Sequence, residues 1–207
     1  KWAFGAVFGL FVGRDMGAGF GGLLVLSSGA LGNGLNALVQ PDEFRSIGGH
    51  RANVGFKDHE SLKPNMSPAA VVGKHDAVAI MVHILNAKTH KQNGVNHWVG
   101  LIKQGKKFVY FDPLGLSLPQ LYRITHEPPT LESIFKGHHV EMSTTGVQRF
   151  AENVRDCTMH VAVRFCFPKW TIKKYYKFLK SSRLSTDDTV VTMTLLHLLR
   201  EDLLKKL

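Results

Sequence analysis

Cysteine is scarce in this chain, with only Cys157 and Cys166 among 207 residues. Two cysteines cannot make a disulfide scaffold, so the reading is a reducing compartment with at least one free thiol. An uninterrupted apolar run of the roughly 20 residues that a membrane helix needs is also missing. The run before Arg14-Asp15 is twelve residues long (2–13), and the run after it is eleven (16–26). Acidic residues are few: 16 Asp and Glu stand against 26 Lys and Arg, for a net charge of +10 and a pI near 9.7. That balance favours polyanionic partners, either nucleic acid or an anionic membrane surface. No internal repeat is present. The length suits one domain that buries roughly 70% of its unfolded surface.

The chain divides by composition. Residues 1–39 hold ten of the twenty glycines, and their only charges are Lys1, Arg14 and Asp15. Such a segment has three readings: membrane-active, a buried leader of the domain, or a disordered leader that is cleaved away. Residues 40–66 are polar, with two prolines and no period, and are expected to be a linker. Residues 67–207 are expected to form the folded domain.

Within that domain, Ser67 before Pro68 is an N-cap with proline at the first helical position, and the spacing predicts a helix over 67–90, divided at Gly73. WVGLI (98–102) and KFVYF (107–111) flank a polar, glycine-bearing turn and predict a hairpin. A short amphipathic helix is expected at 130–135 and a strand over 138–143. DCTMHVAVRFCF (156–167) reads as a buried helix with Asp156 at its N-cap; a strand is the rival reading, because Val161, Val163 and Phe165 alternate. Two helices with a break over 181–188 close the chain. The element order is α+β.

The chemistry starts at the hairpin. With the turn centred between Gln104 and Gly105, His97 faces Asp112. Directly opposed residues have Cβ atoms roughly 4.5–5.5 Å apart. A carboxylate there would fix the imidazole's tautomer and stabilise its cation. Cys157 follows a helix N-cap, where the helix dipole favours a thiolate. Gln148, in the preceding loop, could supply an amide to an oxyanion. His97, Asp112, Gln148 and Cys157 together read as the catalytic set of a cysteine protease. His160, one turn beyond Cys157, is a rival base with no designated carboxylate. Cys157, His160, Cys166 and the His138-His139 pair fit no common zinc spacing, so no metal or other cofactor is expected.

His97-Trp98, then Phe111-Asp112-Pro113-Leu114-Gly115, then Ser143-Thr144 with Val147-Gln148, then Cys157 opening an apolar helix resemble, in that order, the adenovirus endopeptidase (adenain) family, whose clan includes the SUMO-deconjugating proteases. The resemblance covers about residues 68–170. It implies a papain-like, adenain-like cysteine protease fold, with a central mixed β-sheet flanked by helices and the nucleophile at a helix N-terminus. It also implies a viral endopeptidase that cuts structural precursor polypeptides at glycine-containing sites during virion maturation, in the virion and host cell nucleus. Deconjugation of ubiquitin-like proteins, or a virion protein with an inactive protease fold, are the alternatives. The chain departs from the family in three places. Gln148 and Cys157 are nine residues apart, two or three more than usual; Thr158 replaces the usual glycine; and Asp112 stands where adenovirus enzymes have glutamate. The spare cysteine, Cys166, is expected in the core, which argues against a disulfide-linked activator and leaves DNA or a viral peptide as candidate activators.

The stretch KWTIKKYYKFLKSSR (169–183) carries Lys169, Lys173, Lys174, Lys177, Lys180 and Arg183, no acids and four aromatics. Basic and aromatic residues so interleaved suit phosphate contact plus base stacking. The resemblance makes DNA the expected partner, charge alone leaves anionic lipid open, and membrane contact is a further expectation for residues 1–39. The protein is expected to be a monomer.

Overall fold

The computed structural model describes residues 53–148 and 156–206. Expectations for residues 1–39, and for the linker as far as residue 52, lie outside the described residues. The remainder of the expected linker contributes β1 (Val54–Asp58) and a 3-10 turn (His59–Ser61). There follow α1 (Pro68–Val72), β2 (Ala77–Leu85), β3 (Gln92–Gln104), β4 (Lys107–Phe111), α2 (Leu118–Thr125), α3 (Thr130–Phe135) and β5 (Val140–Met142). Three helices end the chain: α4 (Cys157–Phe165), α5 (Ile172–Lys180) and α6 (Thr186–Lys206). No helix among the described residues is long and apolar enough to cross a membrane.

The strands form one mixed sheet in the order β1-β2-β3-β4-β5, antiparallel through β2, β3 and β4 and parallel at both edges. Strand alternation divides the core in two. Ala77, Ala79, Ile102, Val109 and Phe111 face α4, α5 and α6, packing with Met159, Val161, Phe165 and Tyr175. Val78, Ile80, Val82, Val99, Leu101 and Tyr110 pack on the other face with Val72, Leu121 and Ile134 from α1, α2 and α3.

The helix expected over 67–90 ends at Val72. Ser67 caps it, accepting from the Ala70 N–H, and Gly73 at φ +58° closes it. From Ala77 onward the same apolar run is β2. It is buried on both faces, and such a run carries no period that tells strand from helix. Its β-branched residues, Val78, Ile80, Val82 and Ile84, suit the strand.

The hairpin forms two residues out of the expected register. Gln104 pairs with Lys107 and Gly100 with Phe111, so the turn lies on Gly105-Lys106. Gly105, at φ +64°, is the first of the two turn residues, the position that a type II′ turn reserves for glycine. A two-residue shift preserves the alternation of faces. His97 and Asp112 therefore still share a face, as diagonal neighbours instead of an opposed pair.

Candidate active site

Asp112 is the best-held residue of the site. It follows the last residue of β4 and is completely buried. Its backbone N–H donates to Ser143 Oγ (3.0 Å), and the Ser143 hydroxyl donates back to the Asp112 carbonyl (3.1 Å). Its Oδ1 accepts from the Leu114 N–H (2.8 Å) and from His97 Nε2 (3.0 Å). The Asp-Pro-Leu-Gly turn closes through the Gly115 N–H to the Asp112 carbonyl (2.9 Å).

Gly115 sits at φ +68° against a second glycine. A Cβ placed on it would lie 2.2 Å from the Gly146 nitrogen. This contact brings the turn after Asp112 against the loop that leads to Gln148. The Pro113 carbonyl accepts from the N–H groups of Val147 (2.8 Å) and Gln148 (3.0 Å). Gln148 is thus tied at its backbone beside Asp112. Residues 149–155, which join it to the helix of Cys157, lie outside the described residues.

α4 brings Cys157 to the histidine. The helix runs beside β3, and Gly100 admits it: a Cβ there would lie 2.9 Å from Phe165 Cε1 and 3.3 Å from Val161 Cγ1. One turn earlier, Cys157 lies close enough to His97 and to the Trp98 backbone N–H for both to act on its thiol. His97 gives Nε2 to Asp112, which leaves Nδ1 for the thiol. Cys157 is 7% exposed and His97 6%, so both charges are shielded from bulk water. Burial opposes a thiolate, but the hydrogen bond and charge of His97 and the Trp98 N–H outweigh it and lower the Cys157 thiol below its ordinary range. Burial likewise opposes an imidazolium, yet the Asp112 carboxylate and Cys157 together push His97 up to about 10. Each group thus favours the charged form of the other.

Asp156 occupies the N-cap position of α4, but its side chain makes no capping hydrogen bond. It turns inward toward His160, with Oδ2 at 3.7 Å from Nε2. His160 does have a carboxylate, contrary to the sequence expectation: Asp187, at the start of α6, lies 3.0 Å from the same nitrogen. His160 Nδ1 has no hydrogen-bond partner. Asp156, His160 and Asp187 are all buried, and their donor atoms lie within 4.8 Å of one another. Nothing in the local sequence signals this group, because Asp187 arrives from 27 residues away. His97, and not His160, is the imidazole that lies against the Cys157 thiol.

The basic run divides on folding. Lys169, Lys173, Lys174, Lys177, Lys180 and Arg183 are all exposed. The interleaved aromatics are not available for stacking on bases. Tyr175 and Tyr176 are buried, and Phe178 packs on Phe167 and Trp170. Lys174 lies over the Trp170 ring, 4.6 Å from its centre. Lys173, Lys177 and Lys180 line an open groove of about 430 Å³ whose other wall is Glu141, Met142, Thr144 and Thr145. This groove contains none of His97, Asp112 or Cys157. Cys166, expected in the core, is half-buried, and its thiol donates to the Ala162 carbonyl (3.7 Å).

No family model and no curated protein matches this chain. Among solved structures, the ASFV pS273R protease is similar over 69% of this chain and 59% of its own length, with 14% identity and a TM-score of 0.34. At that distance the functional argument rests on the side chains just described and not on the likeness.

Proposed function

We propose that this chain is a cysteine endopeptidase of viral type. The observation that carries the reading is the contact of Cys157, at a helix N-terminus, with a buried His97 whose other nitrogen is held by Asp112. Cys157 attacks the peptide carbonyl as a thiolate and forms a thioester. His97 gives its Nδ1 proton to the leaving amine, then takes a proton from the water that hydrolyses the thioester. Asp112 holds the imidazole's orientation and charge through both steps. The Gln148 amide and the Cys157 backbone N–H stabilise the oxyanion. Substrates with small residues before the cut, glycine above all, are proposed from the resemblance of the motif set. Structural precursors cut during virion maturation, in the virion and host cell nucleus, are the substrates proposed. The exposed lysines of α5 supply contacts to DNA phosphates, as activator or as track.

The test needs no substrate. Alkylation of Cys157 by iodoacetamide is followed against pH in the native protein and in His97→Ala. Fast labelling well below pH 8 that is lost in the variant is the expected outcome. An ordinary thiol profile in both proteins, with and without added DNA, would refute the proposal.

A further inference from the structure

One buried ionic group takes no part in the chemistry above. His160, Asp156 and Asp187 are each completely buried. Neither carboxylate oxygen of Asp156 has a hydrogen bond, so the imidazole of His160, at 3.7 Å, is its compensating group. Asp156 directly precedes Cys157. A carboxylate in that place opposes a second negative charge on the sulfur, and burial removes the water that would screen it.

Two carboxylates that meet an imidazole through one nitrogen favour its cation. We infer that His160 is a fixed counter-ion, anchored by Asp187, that offsets the charge of Asp156 and so favours ionisation of Cys157. It is a positioning residue, not a second base, and the inference rests on the catalytic reading given above. The charged groups that act on it are Asp156 on its own helix and Asp187 from α6. Burial lowers the affinity of His160 for its proton, but Asp156 and Asp187 more than reverse this, and Asp156 acts against the Cys157 thiolate.

The experiment compares iodoacetamide labelling of Cys157 across pH in the native protein, His160→Gln, Asp156→Asn and the double variant. Peptide mass spectrometry separates Cys157 from Cys166. His160→Gln should raise the labelling midpoint by about one pH unit or more, slowing labelling roughly tenfold at a fixed pH below it. Adding Asp156→Asn to His160→Gln should restore the native midpoint, which repair of packing alone would not do. A native midpoint in folded His160→Gln, or a double variant that stays slow, would overturn the inference.

Should His160→Gln not fold, nitrogen NMR of the native protein decides. Both ring nitrogens of His160 are expected to carry protons between pH 6 and 8, and a neutral ring would overturn the proposal. So would stoichiometric retention of zinc, because a metal would then hold the positive charge. If His97→Ala leaves fast labelling intact, the catalytic reading fails. If only the His160 variants behave as native, the counter-ion inference alone fails.

Discussion

Replacing Asp112 by asparagine keeps the shape of the site and removes one charge. An amide oxygen can still accept from the Leu114 N–H and from His97 Nε2, so the turn has no reason to open. The electrostatic loss is considerable. Raising an imidazole from 6.5 to about 10 corresponds to about 5 kcal/mol in favour of the cation. Burial opposes the cation, so Asp112 and Cys157 together supply more than this net figure, and Asp112 is the larger contributor. Its share is therefore at least about 2–3 kcal/mol, and without its charge the equilibrium between thiolate–imidazolium and thiol–imidazole moves toward the neutral pair. Labelling of Cys157 at pH 7 should slow by roughly thirtyfold or more.

Stability does not report this loss at neutral pH. Alone, the raised His97 contributes stability that is complete below 6.5 and lost as pH rises through about 10. The lowered Cys157 acts in the opposite sense, its contribution being lost as pH falls through the folded thiol's midpoint. Between the unfolded values of the two groups, the folded pair holds one proton on His97 and the unfolded chain holds one on Cys157. Native stability should therefore be nearly flat from about pH 6.5 to 8.5 and fall as pH approaches 10. The assay is iodoacetamide labelling at pH 7, with circular dichroism as the check on folding. Folded Asp112→Asn that labels within twofold of native would refute the assignment of Asp112 as the group holding the imidazolium.

Two further perturbations act away from the reacting atoms. Gly115→Ala places a Cβ 2.2 Å from the Gly146 nitrogen at positive φ, so it should cost about 2 kcal/mol or more in urea unfolding and separate the Asp112 turn from the Gln148 loop. Charge reversal at Lys173, Lys177 and Lys180 should abolish salt-sensitive binding of duplex DNA in a fluorescence titration while leaving Cys157 labelling unchanged. Because Tyr176 is buried, Tyr176→Leu should disturb folding more than DNA contact.

What the sequence made legible is what depends on short-range signals. Ser67-Pro68 starts a helix where the capping pattern says it should, Thr130–Phe135 is helical as its amphipathic spacing predicts, and the helix beginning at Cys157 forms as read. The capping box Ser117-x-x-Gln120, which opens α2, was equally local and was the signal to use for a helix the reading missed. β2 was illegible because it is apolar on both faces. The hairpin register depended on which residues flank the glycine, yet alternation protected the pairing of His97 with Asp112 from the error. In the basic run, composition gave the charge but not the direction of each side chain, so the aromatics passed for a stacking surface. The His160–Asp187 contact joins two helices far apart in the chain, and no pattern in either helix foretells it.

The start of α6 holds more than His160. The Thr186 hydroxyl donates to the Val147 carbonyl, and Asp187 beside it reaches the helix of Cys157. Two consecutive residues thus tie down the loop of Gln148 and the helix of the nucleophile. During synthesis the thiol leaves the ribosome well before either of them. Until α6 has emerged and docked, neither of these two ties exists, so the final fastening of that loop to that helix comes late in synthesis.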